Sequence, residues 1–112
     1  VDIDDSISLE TVQNAVSKLK GALIHQRTPQ RVAHRRADLV RERRVVDIEC
    51  LGIEESLYRI EVVGEGGLYI KELVSGDGGR TTPSLAEILA VPAKVIALDV
   101  VQVDGISNNG DE

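Results

Sequence analysis

Aromatic side chains are almost missing from this sequence. Tyr58 and Tyr69 are the only two among 112 residues, with no Phe or Trp. The core must therefore be aliphatic, built of Val, Ile, Leu and Ala, and the shortage of aromatic volume hints at a piece of something larger. The length allows one compact unit with a modest core. Cysteine is scarce as well. Cys50 stands alone, which excludes an internal disulfide and an all-cysteine metal site and fits a reducing compartment such as the cytoplasm. No apolar run approaches the roughly 20 residues of a membrane span, and no signal sequence opens the chain. The start, Val1-Asp2-Ile3-Asp4-Asp5, reads as a cut made inside a longer protein.

Positive charge is in deficit overall, at a formal −6. Spread evenly, that balance would argue against nucleic acid. It is not even. Between Arg27 and Arg44 seven arginines face only Asp38 and Glu42, a local +5. Guanidinium forks suit phosphate oxygens. A global excess of acid weakens non-specific RNA binding without removing such a stripe. Charge alone leaves two readings open, an RNA-facing stripe or a solvated face paired with the surplus acids.

Other chemistries lack their residues. His25 and His34 are nine apart, with no Cys or acid at helical ligand spacing, too few for a zinc site. Cys50 lies in strand-like sequence and reads as a small core residue. In Gly64-Glu65-Gly66-Gly67 the third glycine of a dinucleotide fingerprint would fall at Tyr69, and no Gly-Lys-Ser/Thr follows. The structural reading is a hairpin exit that needs positive backbone angles. Gly76-Asp77-Gly78-Gly79-Arg80 reads as a turn.

The most informative stretch is Gly67-Leu68-Tyr69-Ile70-Lys71-Glu72-Leu73, closed by Gly76-Asp77-Gly78-Gly79-Arg80-Thr81. It sets one lysine after an aromatic-aliphatic pair at the mouth of a short helix, between glycines. It is a poor phosphate cradle and a good rigid mount for a single buried cation.

Periodicity outlines an α+β unit. Ser8 caps a long N-terminal helix over about 8–20, with Leu9, Val12, Val16 and Leu19 at helical spacing and Gly21 as its stop. Residues 22–26 form a short apolar stretch that Thr28-Pro29 breaks. Residues 39–50 and 57–63 alternate as an antiparallel hairpin with a 52–56 loop. Two short helices follow, over 69–74 and from Pro83-Ser84 to Ala90, the second capped by Ser84. Residues 95–103 are apolar on both faces and read as a central, doubly covered strand. Residues 105–112 read as a frayed tail. No repeat or linker divides the chain.

The lysine stretch resembles the basic-residue motif of tRNA pseudouridine synthases, in particular the archaeal and eukaryotic type acting in the tRNA T-loop at positions 54 and 55. Three further stretches carry the same resemblance: Gln26-Arg27-Thr28-Pro29-Gln30-Arg31-Val32-Ala33-His34-Arg35-Arg36, Gly76-Asp77-x-Gly79-Arg80-Thr81-x-Pro83, and Ala93-x-x-Ile96-x-Leu98-Asp99-Val100. The resemblance covers about residues 11–103, and several rare stretches in fixed order are far more specific than any lone motif.

The resemblance implies an α/β core on a mixed sheet. It implies an enzyme that detaches uracil from ribose, rotates it and rejoins it through C5, without cofactor or metal. It makes Lys71 the basic partner of a catalytic aspartate, Ile70 its pocket neighbour and Leu98 the apolar pocket residue. Arg27, Arg31, His34, Arg35, Arg36 and Arg80 become candidate tRNA contacts. The aspartate motif of the family lies upstream of these stretches and is not found in this chain. Neither is the stacking tyrosine, for which Tyr69 is not a substitute. The expectation is therefore about half of a pseudouridine-synthase core, the C-terminal part of its catalytic domain, inactive alone, with an exposed sheet edge at which copies would self-pair. The alternative is a non-catalytic RNA-binding or structural module with the same fold. The coding sequence upstream of Val1 discriminates between them.

Overall fold

The computed structural model describes residues 1–3, 6–32, 34 and 39–98. The helix α1 (Leu9–Leu19) forms where its cap allows. Ser8 is extended, and its Oγ accepts the Thr11 N–H at 3.2 Å. Val12, Ala15, Val16 and Leu19 follow on one face and are buried. Gly21, at φ +74, turns the chain away and donates its N–H to the Val45 carbonyl at 2.8 Å, which delivers the chain into the sheet.

Four antiparallel strands make the main sheet, in the order β4-β3-β2-β5: β2 (Leu23–Arg27), β3 (Val40–Glu54), β4 (Leu57–Gly64) and β5 (Thr81–Thr82). A separate antiparallel pair joins β1 (Asp2–Ile3) to β6 (Ala93–Lys94). Two short helices, α2 (Ile70–Ser75) and α3 (Leu85–Leu89), complete the unit. The inner face of the sheet contributes Ile24, Val45, Ile48, Cys50 and Tyr58, which meet α1, Leu73 and Val74 of α2, and Leu85 and Leu89 of α3. This is the aliphatic core that the composition demands. Its one aromatic ring has its polar end satisfied, because the Tyr58 hydroxyl donates to the Ile7 carbonyl at 2.9 Å.

Three expectations change. The hairpin is longer than its alternation suggests: β3 runs past Gly52, which the ladder absorbs in a register shift between Cys50 and Gly52 at φ +142. Its turn shrinks to Glu55-Ser56, both at positive φ, the backbone that a two-residue hairpin turn requires. The apolar stretch at 22–26 becomes β2, paired on both sides. The final strand is not formed over residues 95–98, where Ile96 and Leu98 are exposed; residues 99–103 lie outside the described residues, as does the tail at 105–112. Alternation makes a strand only where a neighbour supplies ladder partners, and the short β6 at 93–94 uses up the pairing that β1 offers. The antiparallel arrangement expected for this α+β unit is present: every strand pair among the described residues is antiparallel.

Candidate active site

The lysine mount begins with a helix that cannot cap itself. Tyr69 occupies the N-cap of α2 in an extended conformation and offers no side-chain acceptor. First-turn N–H groups of a helix have no intrahelical partner. Gln26 fills this role from β2. Its side chain is buried. Its Oε1 accepts the Tyr69 N–H at 2.9 Å, and its Nε2 donates to the Tyr69 carbonyl at 2.9 Å. That carbonyl also accepts the first helical bond, from the Leu73 N–H at 3.0 Å. One amide thus holds both backbone groups of the residue from which α2 starts.

Glu72, three residues after the cap, would in a self-capped helix reach back to the cap N–H. Here Gln26 already occupies that donor, and the Glu72 carboxylate turns to Arg31. Arg31 donates from Nε to Oε2 at 2.8 Å and from Nη2 to Oε1 at 3.3 Å. Glu72 is buried, and the guanidinium carbon lies 5.8 Å from the centroid of the Tyr69 ring. The hydrogen bond to Glu72 is the leading cause that pushes the Arg31 guanidinium above its ordinary pKa.

The far end of α2 is fastened as tightly. Gly76 ends the helix at φ +82, and a Cβ there would sit 2.8 Å from the Ser84 Oγ, so only glycine fits. Arg80 donates to the Thr28 carbonyl from Nε and Nη2, at 3.1 and 2.6 Å. The Asp77 Oδ2 accepts the Gln30 N–H at 3.0 Å. On the entry side the Arg43 Nε donates to the Gly66 carbonyl at 3.0 Å, while Gly67 turns at φ +91 beside the same guanidinium. The two sequence stretches around Gln26-Arg31 and Tyr69-Arg80 are therefore one polar junction.

Lys71 is the second residue of α2 and projects outward. It is exposed, not buried as the mount suggested. The reason is helical phase: Glu72, Leu73 and Val74 take the buried face. A cation in the first turn also opposes the helix dipole, so local helix stability does not account for it. Ile70 beside it is half-buried, and Leu98 is exposed. A hollow of about 500 Å³ opens past Gly76, lined in part by Ser75, Thr82, Ala86 and Pro92, and Lys71 does not line it.

The basic residues divide. Arg31 and Arg80 point at the chain's own carboxylate and backbone, which makes them parts of the junction rather than of an open stripe. Arg27 lies exposed on the outer face of β2, and His34 is exposed. Arg35 and Arg36 lie outside the described residues. Sequence reasoning passed over Gln26 and Glu72. The available signal was a polar residue at an inward position of an alternating strand. Cys50 is a free, buried core thiol. Among the described residues no three of His, Cys, Asp and Glu converge as metal ligands, and no helix is long and apolar enough to cross a membrane.

The family model described as "Pus10, C-terminal" matches residues 1–104, and the chain belongs to that family. It is 50% identical over 101 residues to the "tRNA pseudouridine synthase Pus10" of Pyrococcus furiosus, covering 90% of this chain and 26% of that protein. The proteins of the same name from Aeropyrum pernix and Halorubrum lacusprofundi are 50% and 49% identical over 105 residues, covering 93% and 94% of this chain and 24% and 25% of theirs. The chain spans about a quarter of the length of these relatives.

Proposed function

We propose that this chain is the C-terminal part of the catalytic domain of a tRNA pseudouridine synthase, an isomerase that converts uridine to pseudouridine in the tRNA T-loop. In this reading it supplies Lys71, the pocket side chains Ile70 and Leu98, and tRNA contacts that include Arg27, His34, Arg35 and Arg36, and it acts in the cytoplasm. The observation that carries the reading is the junction. An exposed lysine stands on a helix start held by a buried amide and by an ion pair between the half-exposed Arg31 and the buried Glu72.

The chemistry asks for such a group. The bond between N1 of uracil and C1′ of ribose breaks, the base rotates, a bond from C5 to C1′ forms, the C5 proton leaves to solvent and N1 ends with a proton, so that the product is an isomer. The aspartate that acts at the sugar comes from the preceding part of the enzyme. A carboxylate in a uracil-sized pocket is partly desolvated, which raises its pKa and blunts it. The Lys71 ammonium within hydrogen-bond reach keeps it ionised and aimed. Such a charge works only if it is already in place, and a junction that holds the helix start beneath Lys71 supports the reading.

The test is tritium release from 5-tritiated uridine in a T-loop substrate, with the full-length enzyme. Wild type turns over, Lys71→Met falls roughly a hundredfold as for loss of one preorganised polar group, and Lys71→Arg retains part of the rate. This chain alone is expected to be inactive and to pair with a second copy along the stretch of the β4 edge beyond Tyr58, which Val1 already pairs, read as concentration-dependent mass. Normal turnover by Lys71→Met would remove Lys71 from the site. A full-length protein that binds tRNA but releases no tritium would make this a binding module.

A further inference from the structure

We propose that Gln26 is a positioning residue for Lys71: its buried amide, on a different strand, fixes the helix start that aims the ammonium. This rests on the function proposed above. The argument begins with what α2 lacks. It is six residues long, far below the length at which a helix persists alone. Its N-cap carries no side-chain acceptor. Its buried face, Leu73 and Val74, docks the helix body but lies beyond Lys71 in the chain. What defines the first turn is the pair of 2.9 Å bonds between Gln26 and Tyr69, two residues before Lys71.

The same two bonds explain why a polar side chain occupies an inward position of β2. Gln26 shares the buried side of the strand with Ile24, and both are almost fully inaccessible. A buried amide without partners is costly. This one has both its groups paired to the backbone of a single distant residue, 43 positions away in sequence. Stability alone would be served by an apolar residue at position 26 and a self-capping residue at position 69. The arrangement instead ties the first turn of α2 to β2, an inner strand paired on both sides.

Loss of Gln26 need not undock α2, because the Arg31–Glu72 pair and the buried Leu73 and Val74 remain. It frees the first turn, so the ammonium samples positions off the aspartate. Displacements near 1 Å cost catalysis heavily, so Gln26→Leu in the full-length enzyme is expected to lower kcat roughly 10- to 100-fold. The KM for tRNA stays the same.

The decisive measurement is a double-mutant cycle on kcat with Lys71→Met, which separates action through Lys71 from any other role. If Gln26 works by aiming the ammonium, Gln26→Leu costs nothing further once the ammonium is gone. An equal further fall in the Lys71→Met background, or a rise in KM with kcat unchanged, overturns the proposal and leaves Lys71 in its role. Wild-type kcat for Gln26→Leu overturns it also. Normal turnover by Lys71→Met alone defeats the functional reading, and this proposal falls with it. Should Gln26→Leu fail to fold, Gln26→Glu is read in the same cycle. It keeps an acceptor for the Tyr69 N–H and loses the amide donor, and it is expected to show a smaller loss of kcat with the same dependence on Lys71.

Discussion

The apolar inner face of the sheet and the polar junction at α2 are adjacent regions held by different physics. At the inner face, Ile24 and Val45 of the sheet and Val12, Val16 and Leu19 of the α1 helix packed on it are shielded from water and make no polar contact through their side chains. Their attraction is non-directional and scales with area. At the junction, Gln26, Glu72, Thr81 and Ser84 are as deeply buried, yet what holds Gln26 and Glu72 is directional bonding at 2.8–3.3 Å. The first region decides whether the chain folds. The second decides where one exposed lysine stands. A hydrophobic contact tolerates small slides. A pair of amide bonds does not, and that is why the mount is polar although polar burial adds little net stability.

The comparison can be broken by single substitutions. The largest effect is expected at Ile24→Ala, which opens a cavity in the aliphatic face and should lower stability by about 2–5 kcal/mol. Thermal unfolding of the full-length protein reads it, and turnover per folded molecule should hold. Lys71→Met should do the reverse. The hundredfold loss of turnover corresponds to about 2.7 kcal/mol of transition-state stabilisation, whereas its unfolding midpoint should match wild type because the side chain is exposed. A lowered midpoint would move Lys71 from chemistry to structure.

Arg31→Leu should come next. It strands the buried Glu72 carboxylate, at a cost of about 1–3 kcal/mol. Adding Glu72→Leu should return most of that loss, since replacing both partners of a buried pair by apolar groups is often close to neutral. A double mutant no better than Arg31→Leu alone would show that the pair was not the source of the cost. In the same variants the salt dependence of tRNA binding should keep its slope, because Arg31 is engaged with the protein. A slope shallower by about one log-log unit would return Arg31 to the phosphate contacts. The smallest effect belongs to Ser84, whose Oγ accepts the Glu87 N–H at 3.1 Å and starts α3. Ser84→Ala should cost about 1 kcal/mol in unfolding free energy and leave kcat alone.

What could be read from the sequence follows the same division. The Ser8 and Ser84 caps, the face of α1 and the long hairpin were legible because each is encoded by local spacing. Lys71 at a helix mouth was legible from the glycines and the aromatic-aliphatic pair around it. β2 was not legible, because the residue that completes its inward face is Gln26, polar by composition and buried only because Tyr69 supplies both of its partners. Arg31 was read from the arginine stripe, and Arg80 from the family resemblance, as candidate RNA contacts. Their actual acceptors, Glu72 and the Thr28 carbonyl, are 41 and 52 residues away, a pairing no window of sequence displays. The apolar run at 95–103 shows the converse, a local pattern that does not make a strand over its described part.

Strand β2 puts Ile24 and Gln26 on one side and Leu23, His25 and Arg27 on the other. Because side chains alternate with a period of two, a slip of one residue against β3 would turn both inward residues to solvent and drive an imidazole and a guanidinium into the core. A one-residue slip would therefore lose the core face and the Gln26–Tyr69 bonds together. The register of these five residues thus links two parts of the molecule: the pairing that turns Ile24 into the core also brings the Gln26 amide to the helix start beneath Lys71.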